Sequence, residues 1–133
     1  MILKGSCLCG AVIYQVRRFH PEIANCHCVT CRKFHGAAFA TYGKVQVEDL
    51  GWLAGIDQLK VFVSSASAER GFCSNCGSSL YYKIAGQEQQ YSLTLGTLDC
   101  EPDRSVDNSI FCGSRPQWSL DSKDLPEFDV WPE

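Results

Sequence analysis

Cysteine spacing is the feature that most constrains how this chain can fold. Three of the nine cysteines form a Cys-x-Cys-x-x-Cys cluster, and four more form two pairs: Cys26, Cys28 and Cys31; Cys7 and Cys9; Cys73 and Cys76. Four such ligands close a structural zinc site, whereas a reactive zinc keeps an open position beside three. The clustered thiols therefore predict two zinc ions per chain, one in a closed site and one in an open site.

Size and composition are those of an ordinary globular protein. The 133 residues are 45% hydrophobic and 20% charged, and they predict one domain, 1–133, that can bury a core of its own. The formal net charge of −3 argues against a general nucleic-acid binder, which is usually basic. We therefore expect no nucleic-acid partner.

The N-terminal residues, 1–6, do not resemble a secretion signal. No stretch approaches the roughly 18 apolar residues of a membrane-spanning helix. We therefore expect a cytoplasmic protein with no membrane partner. In a reducing compartment, clustered cysteines are typical of metal ligation or catalysis rather than disulfides, and an odd cysteine count fits a fully paired disulfide framework poorly.

Hydrophobic periodicity predicts a mainly β fold. Alternation and β-branched content favour strands in five stretches: 12–16, 37–42, 45–47, 59–63 and 91–98. Residues 32–35 favour one helical turn that ends at Gly36, and residues 51–55 favour a turn with packed apolar contents. From residue 99 onward the chain is rich in Pro, Asp and Ser, so we expect loops, pinned to the body by three aromatic residues: Trp118, Phe128 and Trp131.

The two cysteine pairs have similar surroundings. Residues 7–14 and 73–82 each contain a cysteine pair, a glycine, a small residue and a strand that reaches a tyrosine. This weak internal repeat predicts two similar hairpins that meet at one metal ion. Joining the two pairs closes the long loop between Cys9 and Cys73. A structural zinc contributes on the order of 10–16 kcal/mol, enough to offset the entropy lost in closing that loop. We assign it four ligands: Cys7, Cys9, Cys73 and Cys76.

The triple cluster predicts an open, reactive site. Three thiolates on Zn²⁺ give a formal charge of −1, which weakens Lewis acidity and makes hydroxide formation from water unfavourable. Such a centre is better suited to holding an incoming thiol as its thiolate. We therefore assign the chemistry to zinc-bound sulfur, carried by Cys26, Cys28 and Cys31.

Two alternatives to an open site remain at this point. Cys100 or Cys112 could supply a fourth thiol and make the second zinc structural; otherwise both are expected to be buried as small apolar residues. The cluster could also hold iron or an iron–sulfur cluster, although four thiols are usual there.

Several polar residues lie near the triple cluster in the sequence. His27 stands between two proposed ligands, so its side chain is expected to turn away from the metal, and His35 could be a polar group near the site or a surface residue. Arg32 and Lys33 could offset the negative charge of the cluster or bind a carboxylate of the thiol substrate. The plainer interpretation is a solvated pair of charges.

The motifs that carry these cysteines resemble one known family. Residues 5–10, 26–32 and 70–78 are similar to the motifs of the glutathione-dependent formaldehyde-activating enzyme family, whose domain also occurs in centromere protein V, and residues 95–99 look like its late strand. The resemblance implies a fold of two small zinc-tied antiparallel sheets in one domain, related to methionine sulfoxide reductase B. It also implies a structural zinc on the two pairs and a second zinc on the triple cluster, which glutathione sulfur would approach.

The activity that the resemblance implies is that of a carbon–sulfur lyase run in reverse, which forms S-(hydroxymethyl)glutathione from glutathione and formaldehyde. One departure concerns the tail, because Ser109 precedes Ile110-Phe111 where the family often carries a histidine. The competing hypothesis is a non-catalytic zinc module that binds thiols or a partner protein.

Overall fold

The computed structural model describes residues 2–120 and 124–132 and confirms a mainly β protein. Its one α-helix is α1 (Val29–His35), and none of the helices in these residues is long and apolar enough to cross a membrane. The strands, in chain order, are β1 (Leu3–Ser6), β2 (Ile13–Val16), β3 (Ile23–Cys26), β4 (Ala40–Gln46), β5 (Leu50–Ala54), β6 (Leu59–Ser65), β7 (Ala68–Cys73), β8 (Ser79–Ile84), β9 (Gln90–Thr94) and β10 (Asn108–Ile110).

The strands form two sheets of unequal size. One sheet has three strands in the order β1-β2-β5, and the other has seven in the order β10-β3-β4-β9-β8-β7-β6. The predicted two sheets are thus confirmed, and their size and pairing differ from the expectation in two details. The second sheet is large, and its edge strand β10 pairs with β3 in parallel.

The main core lies between the two sheets. Its buried cluster joins Tyr14 and Val16 of β2 to Val45 of β4, Tyr81 of β8 and Leu93 of β9. Successive side chains of a strand point to opposite faces, so the neighbours of these residues project from the other face of the large sheet. That second face carries α1 and a smaller buried cluster.

Three predicted boundaries are wrong. Stretches 37–42 and 45–47 are not separate, because β4 runs continuously over Ala40–Gln46. Gly43 lies between the two stretches and is needed inside the strand, since a Cβ there would lie 2.5 Å from the ring of Phe19. The turn expected over 51–55 is strand β5, which pairs with β2. The strand expected over 91–98 ends at Thr94, where a 3₁₀ turn, Leu95–Thr97, begins.

The tail also differs from the prediction. It contains strand β10, and its aromatic side chains do not pin it to the body: Trp118, Phe128 and Trp131 are 70%, 56% and 84% exposed. The prediction assumed that these large apolar side chains would be buried. The segment after β10 contains only short 3₁₀ turns in its described part, which do not place these rings against the core.

Alanine in place of Gly71 is expected to lower the free energy of unfolding by about 1–3 kcal/mol, the usual cost of overpacking. Gly71 lies opposite Tyr81, and an added Cβ would come within 2.1 Å of the Tyr81 ring, which is buried in the main core. Gly96→Ala is the matched control, because a Cβ there meets no atom within 4 Å. Urea unfolding measures both, and equal stabilities would contradict the prediction.

Candidate metal centres

The two cysteine pairs meet at the ends of two hairpins. Cys7 and Cys9 lie in the turn between β1 and β2, Cys73 ends β7, and Cys76 lies in the turn before β8. All four Sγ atoms lie within 4.8 Å of one another, with 3.6 Å between Cys7 and Cys9 and 3.8 Å between Cys9 and Cys73. Four thiolates at about 2.3 Å from a tetrahedral ion would be about 3.8 Å apart. This four-cysteine cluster therefore fits a closed metal site that joins the two sheets.

The two hairpin turns have matching backbones. Cys7 N–H donates to the carbonyl of Val12, and Cys73 N–H donates to that of Ser78, each at 3.0 Å. Each turn also contains a glycine in the left-handed region, Gly10 at φ 80° and Gly77 at φ 81°, which a residue with a Cβ adopts only with strain. The internal repeat seen in the sequence is thus a repeat of structure.

The local environment gives two thiols of this cluster very different pKa values. A hydrogen bond from the Ser78 side chain, at 3.2 Å, lowers the pKa of Cys76 to about 5, whereas burial raises the pKa of Cys73 to about 11. Metal ligands must be thiolates, and binding a divalent cation supplies the charge that deprotonates the buried thiol.

The triple cluster lies at the junction of β3 and α1. Cys26 is the last residue of β3, Cys28 is the N-cap of α1, and Cys31 lies in its first turn. Cys31 N–H donates to Cys28 Sγ at 3.3 Å, and the three sulfurs lie within 4.8 Å of one another. This three-cysteine cluster could hold a metal ion on the face of the large sheet that is opposite the main core.

Cys100 and Cys112 lie outside both clusters. Both are exposed, which corrects the expectation of burial. Cys100 Sγ lies 3.9 Å from the carbonyl of Lys4, and Arg115 donates to Cys112 Sγ at 3.5 Å. Among the described residues, the group around Cys26 therefore contains three cysteines and no fourth.

A buried arginine adjoins the three-cysteine cluster, and the sequence reasoning missed it. Both terminal nitrogens of Arg70 lie 3.7 Å from Cys31 Sγ, and one donates to the Tyr42 hydroxyl at 3.1 Å. The Tyr42 hydroxyl in turn lies 2.7 Å from His35 Nε2, which also contacts Ser79 Oγ at 3.3 Å. The signal in the sequence was that Arg70 opens the 70–78 motif, and nothing in that motif links it to Cys31.

Burial dominates the titration of this region. It raises the pKa of Cys26 to about 12 and raises the pKa of Tyr42 well above its ordinary value. Burial acts in the same sense on Cys28, but hydrogen bonds, first from the Cys31 backbone, hold the pKa of Cys28 below its ordinary value. A neutral His35 can accept a hydrogen bond from the Tyr42 hydroxyl. Each step of the chain Arg70–Tyr42–His35 then has a donor and an acceptor.

The other predicted neighbours lie further from the sulfurs. His27 is buried against Phe39, with 5.1 Å between ring centroids, and its Nδ1 lies 3.4 Å from the carbonyl of Ile110. It is not part of the sulfur group, as expected. Arg32 and Lys33 directly follow Cys31 in the sequence of α1, and Lys33 is exposed. Of the described cations, the one in contact with a cluster sulfur is Arg70.

A cavity of about 210 Å³ opens beside Cys26. Its walls include Tyr42, Tyr82 and Ile110, together with two residues of opposite charge, Glu22 and Lys44. A different cavity, of about 470 Å³, contains Ser109, the residue that departs from the family pattern; its other walls include Asn25, His27 and Trp118. The position of the family histidine therefore does not line the cavity beside Cys26.

Acidification is expected to destabilise the protein through His35. Burial, and then the positive charge of Arg70, lower the pKa of His35 from 6.5 to about 4. The unfolded chain thus takes up a proton near pH 6.5 that the folded protein does not accept. The contribution of His35 to the free energy of unfolding is fully present above pH 6.5 and is lost as the pH falls toward 4. In His35→Gln, the free energy of unfolding in urea should fall less between pH 7 and pH 5 than in the unmodified protein.

Metal loss at low pH affects both proteins, so their difference isolates His35. Between pH 8 and pH 7 the two should respond alike. Equal losses between pH 7 and pH 5 would show that His35 titrates in the same way in the folded and unfolded chains.

Fold and site together define a class of mainly β proteins with two cysteine clusters that can hold metal ions. Residues 2–114 match the profile of one family, described as glutathione-dependent formaldehyde-activating enzyme. The chain belongs to this family, as its motifs predicted.

Named relatives share part of their length with this chain. An uncharacterized lyase of Schizosaccharomyces pombe is 31% identical over 88 residues, which cover 66% of this chain and 62% of the relative. Proteins of Halomonas elongata and Podospora anserina, both provisionally named glutathione-dependent formaldehyde-activating enzymes, are 33% and 35% identical over 61% and 65% of this chain. The chain matches 55% and 42% of their lengths, so it spans about half of these relatives.

A solved structure has the same fold. The crystal structure of a Rhodobacter sphaeroides protein superposes with a TM-score of 0.65 at 24% identity. The match covers 80% of this chain and 98% of that chain.

Proposed function

We propose that this protein joins glutathione to formaldehyde and so forms S-(hydroxymethyl)glutathione. The thiol sulfur forms a bond to the carbonyl carbon, the C=O π bond breaks, and the proton lost by the thiol is gained by the carbonyl oxygen. The observation that carries the proposal is three convergent sulfurs beside a cavity, in a chain that belongs to this family. The reduced thiolates need a reducing compartment, so we place the protein in the cytoplasm.

The three-cysteine cluster is the proposed site of reaction. A zinc ion held there would keep one open position for the incoming thiol and favour its thiolate form. The chain's own contribution is to hold three sulfurs within 4.8 Å and to place the positive charge of Arg70 beside Cys31. Thiols and formaldehyde combine unaided in water, so proximity and thiolate concentration would supply the acceleration. The four-cysteine cluster would hold a second, structural zinc.

The cavity beside Cys26 would take the body of the thiol. Glutathione carries two carboxylates and one ammonium group. Lys44 and Glu22 are both exposed on the cavity wall, where they can bind a carboxylate and the ammonium respectively. Arg32 and Lys33 are the sequence-based candidates for the second carboxylate.

The proposal is tested by nuclear magnetic resonance exchange spectroscopy on mixtures of formaldehyde and glutathione. Micromolar protein with its metal bound should accelerate exchange between free formaldehyde and its glutathione adduct. No acceleration would overturn the enzymatic proposal. Calorimetric binding of glutathione without acceleration would instead support the alternative, a non-catalytic zinc module that binds thiols.

A further inference from the structure

Arg70 is a cation buried in an unusual setting. It lies in β7, opposite Tyr82 of β8, and is only 5% exposed. Its guanidinium carbon lies over two aromatic rings, 5.5 Å from the centroid of Phe34 and 5.4 Å from that of Tyr82. Both distances are within the range of a cation–π interaction, which is stronger where the cation is withdrawn from water.

The partners of Arg70 do not include a carboxylate. Its Nε donates to Ser64 Oγ at 3.3 Å, and its terminal nitrogens donate to the Tyr42 hydroxyl and to Cys31 Sγ. Within residues 2–120 and 124–132, no Asp or Glu oxygen lies within the 4.0 Å of an ion pair with it. Arginine stays protonated in proteins, and a buried charge is costly unless an opposite charge is near. The group that can supply the negative charge is the three-cysteine cluster.

We propose that Arg70 is the positioning residue of the three-cysteine centre, where it neutralises the charge of the metal-loaded cluster and orients Cys31. Three thiolates and one divalent ion carry a formal charge of −1, and Arg70 brings the total to zero. Both terminal N–H groups converge on one sulfur, so they also fix its direction. The inference rests on metal binding at the proposed site, and extends it by assigning the counter-charge to a residue 39 positions from Cys31.

The test compares variants that remove or keep this charge. Arg70→Met fills the space between the rings without charge, and Arg70→Lys keeps the charge without the planar fork. Lys60→Met, in the neighbouring strand β6, is the control that removes one exposed positive charge. Zinc release from the loaded proteins to a chromogenic chelator gives the affinity of each site.

In Arg70→Met we expect the weaker zinc to be held about 10- to 100-fold less tightly, the usual effect of losing a residue that contacts a metal ligand. The tighter zinc should be unchanged. Arg70→Lys should lose less than Arg70→Met, and Lys60→Met should match the unmodified protein. Cobalt in place of zinc should show a shifted thiolate charge-transfer band in Arg70→Met, which a loss of overall stability would not produce.

Equal zinc affinities in Arg70→Met and the unmodified protein would overturn the inference, as would equal losses in Arg70→Met and Arg70→Lys. If Arg70→Met does not fold, Arg70→Gln replaces it as the uncharged variant. Equal zinc retention by Arg70→Gln and Arg70→Lys would then overturn the inference. Selective zinc loss in a protein that does not accelerate exchange would support Arg70 and reject the proposed reaction. One zinc per unmodified chain would reject Arg70's role whatever the exchange rate.

Discussion

Serine in place of Cys76 is expected to leave the chain unable to fold. The four-cysteine cluster joins the β1–β2 hairpin to the β7–β8 hairpin, so removing one ligand opens the metal site that holds the two sheets together. A structural zinc contributes about 10–16 kcal/mol, and whole domains are stable by only about 5–15 kcal/mol. Circular dichroism and zinc analysis should show loss of the cooperative unfolding transition together with loss of metal.

Cys100→Ser is the matched control, because Cys100 is an exposed cysteine outside both clusters. It should keep both metal ions and the stability of the unmodified protein. A folded Cys76→Ser protein that still binds two zinc ions would contradict the role assigned to this cluster.

Serine in place of Cys31 is expected to abolish the acceleration of formaldehyde–glutathione exchange and to remove one zinc, while the protein stays folded. The three-cysteine cluster lies on the face of the large sheet opposite the main core, so its loss leaves the contacts between the sheets intact. Serine keeps a hydrogen-bond acceptor for Arg70 but removes the negative charge beside this buried cation. The cost to the free energy of unfolding should be about 3–5 kcal/mol, that of breaking a buried charge pair.

Exchange spectroscopy measures the acceleration, metal analysis measures the zinc content, and urea unfolding measures the stability. Cys112→Ser, which changes an exposed cysteine outside the cluster, should behave as the unmodified protein does. Full exchange activity in Cys31→Ser would remove the three-cysteine cluster from the reaction, even if the zinc were lost.

The two cysteine pairs and the triple cluster could be predicted from short spacings, and the meeting of the two distant pairs from their similar surroundings. A Cys-x-Cys or Cys-x-x-Cys pair brings two sulfurs together within one turn, whatever the rest of the fold does. The glycines in both turns added the backbone freedom that such turns need, and the structure has them at φ 80° and 81°. The helical turn ending at Gly36 was visible for the same reason, since Gly36 adopts the left-handed conformation of a C-cap.

Features set by distant partners were not predictable in this way. Arg70 reaches Cys31 only because the order of the seven strands and the pairing of β7 with β8 place its side chain on the face that carries α1. Stretches 37–42 and 45–47 were expected as two strands, and the reason for a glycine between them, the ring of Phe19, lies outside strand β4. The exposure of Trp118 and Trp131 likewise depends on where the tail lies, which residue type does not encode.

Strand β7 ends at Cys73 and carries Arg70 three residues earlier, and this stretch pairs with β6 without interruption, although its pairing with β8 shifts register between Gly71 and Phe72. Because Arg70 and Cys73 share this run of pairing with β6, a shift of one end of the run is expected to shift the other. The order of metal loading should follow from this arrangement: once the hairpin ends have captured their ion, the arginine is in register and the second cluster can fill. Metal starvation would then empty the three-cysteine cluster first and leave the chain folded.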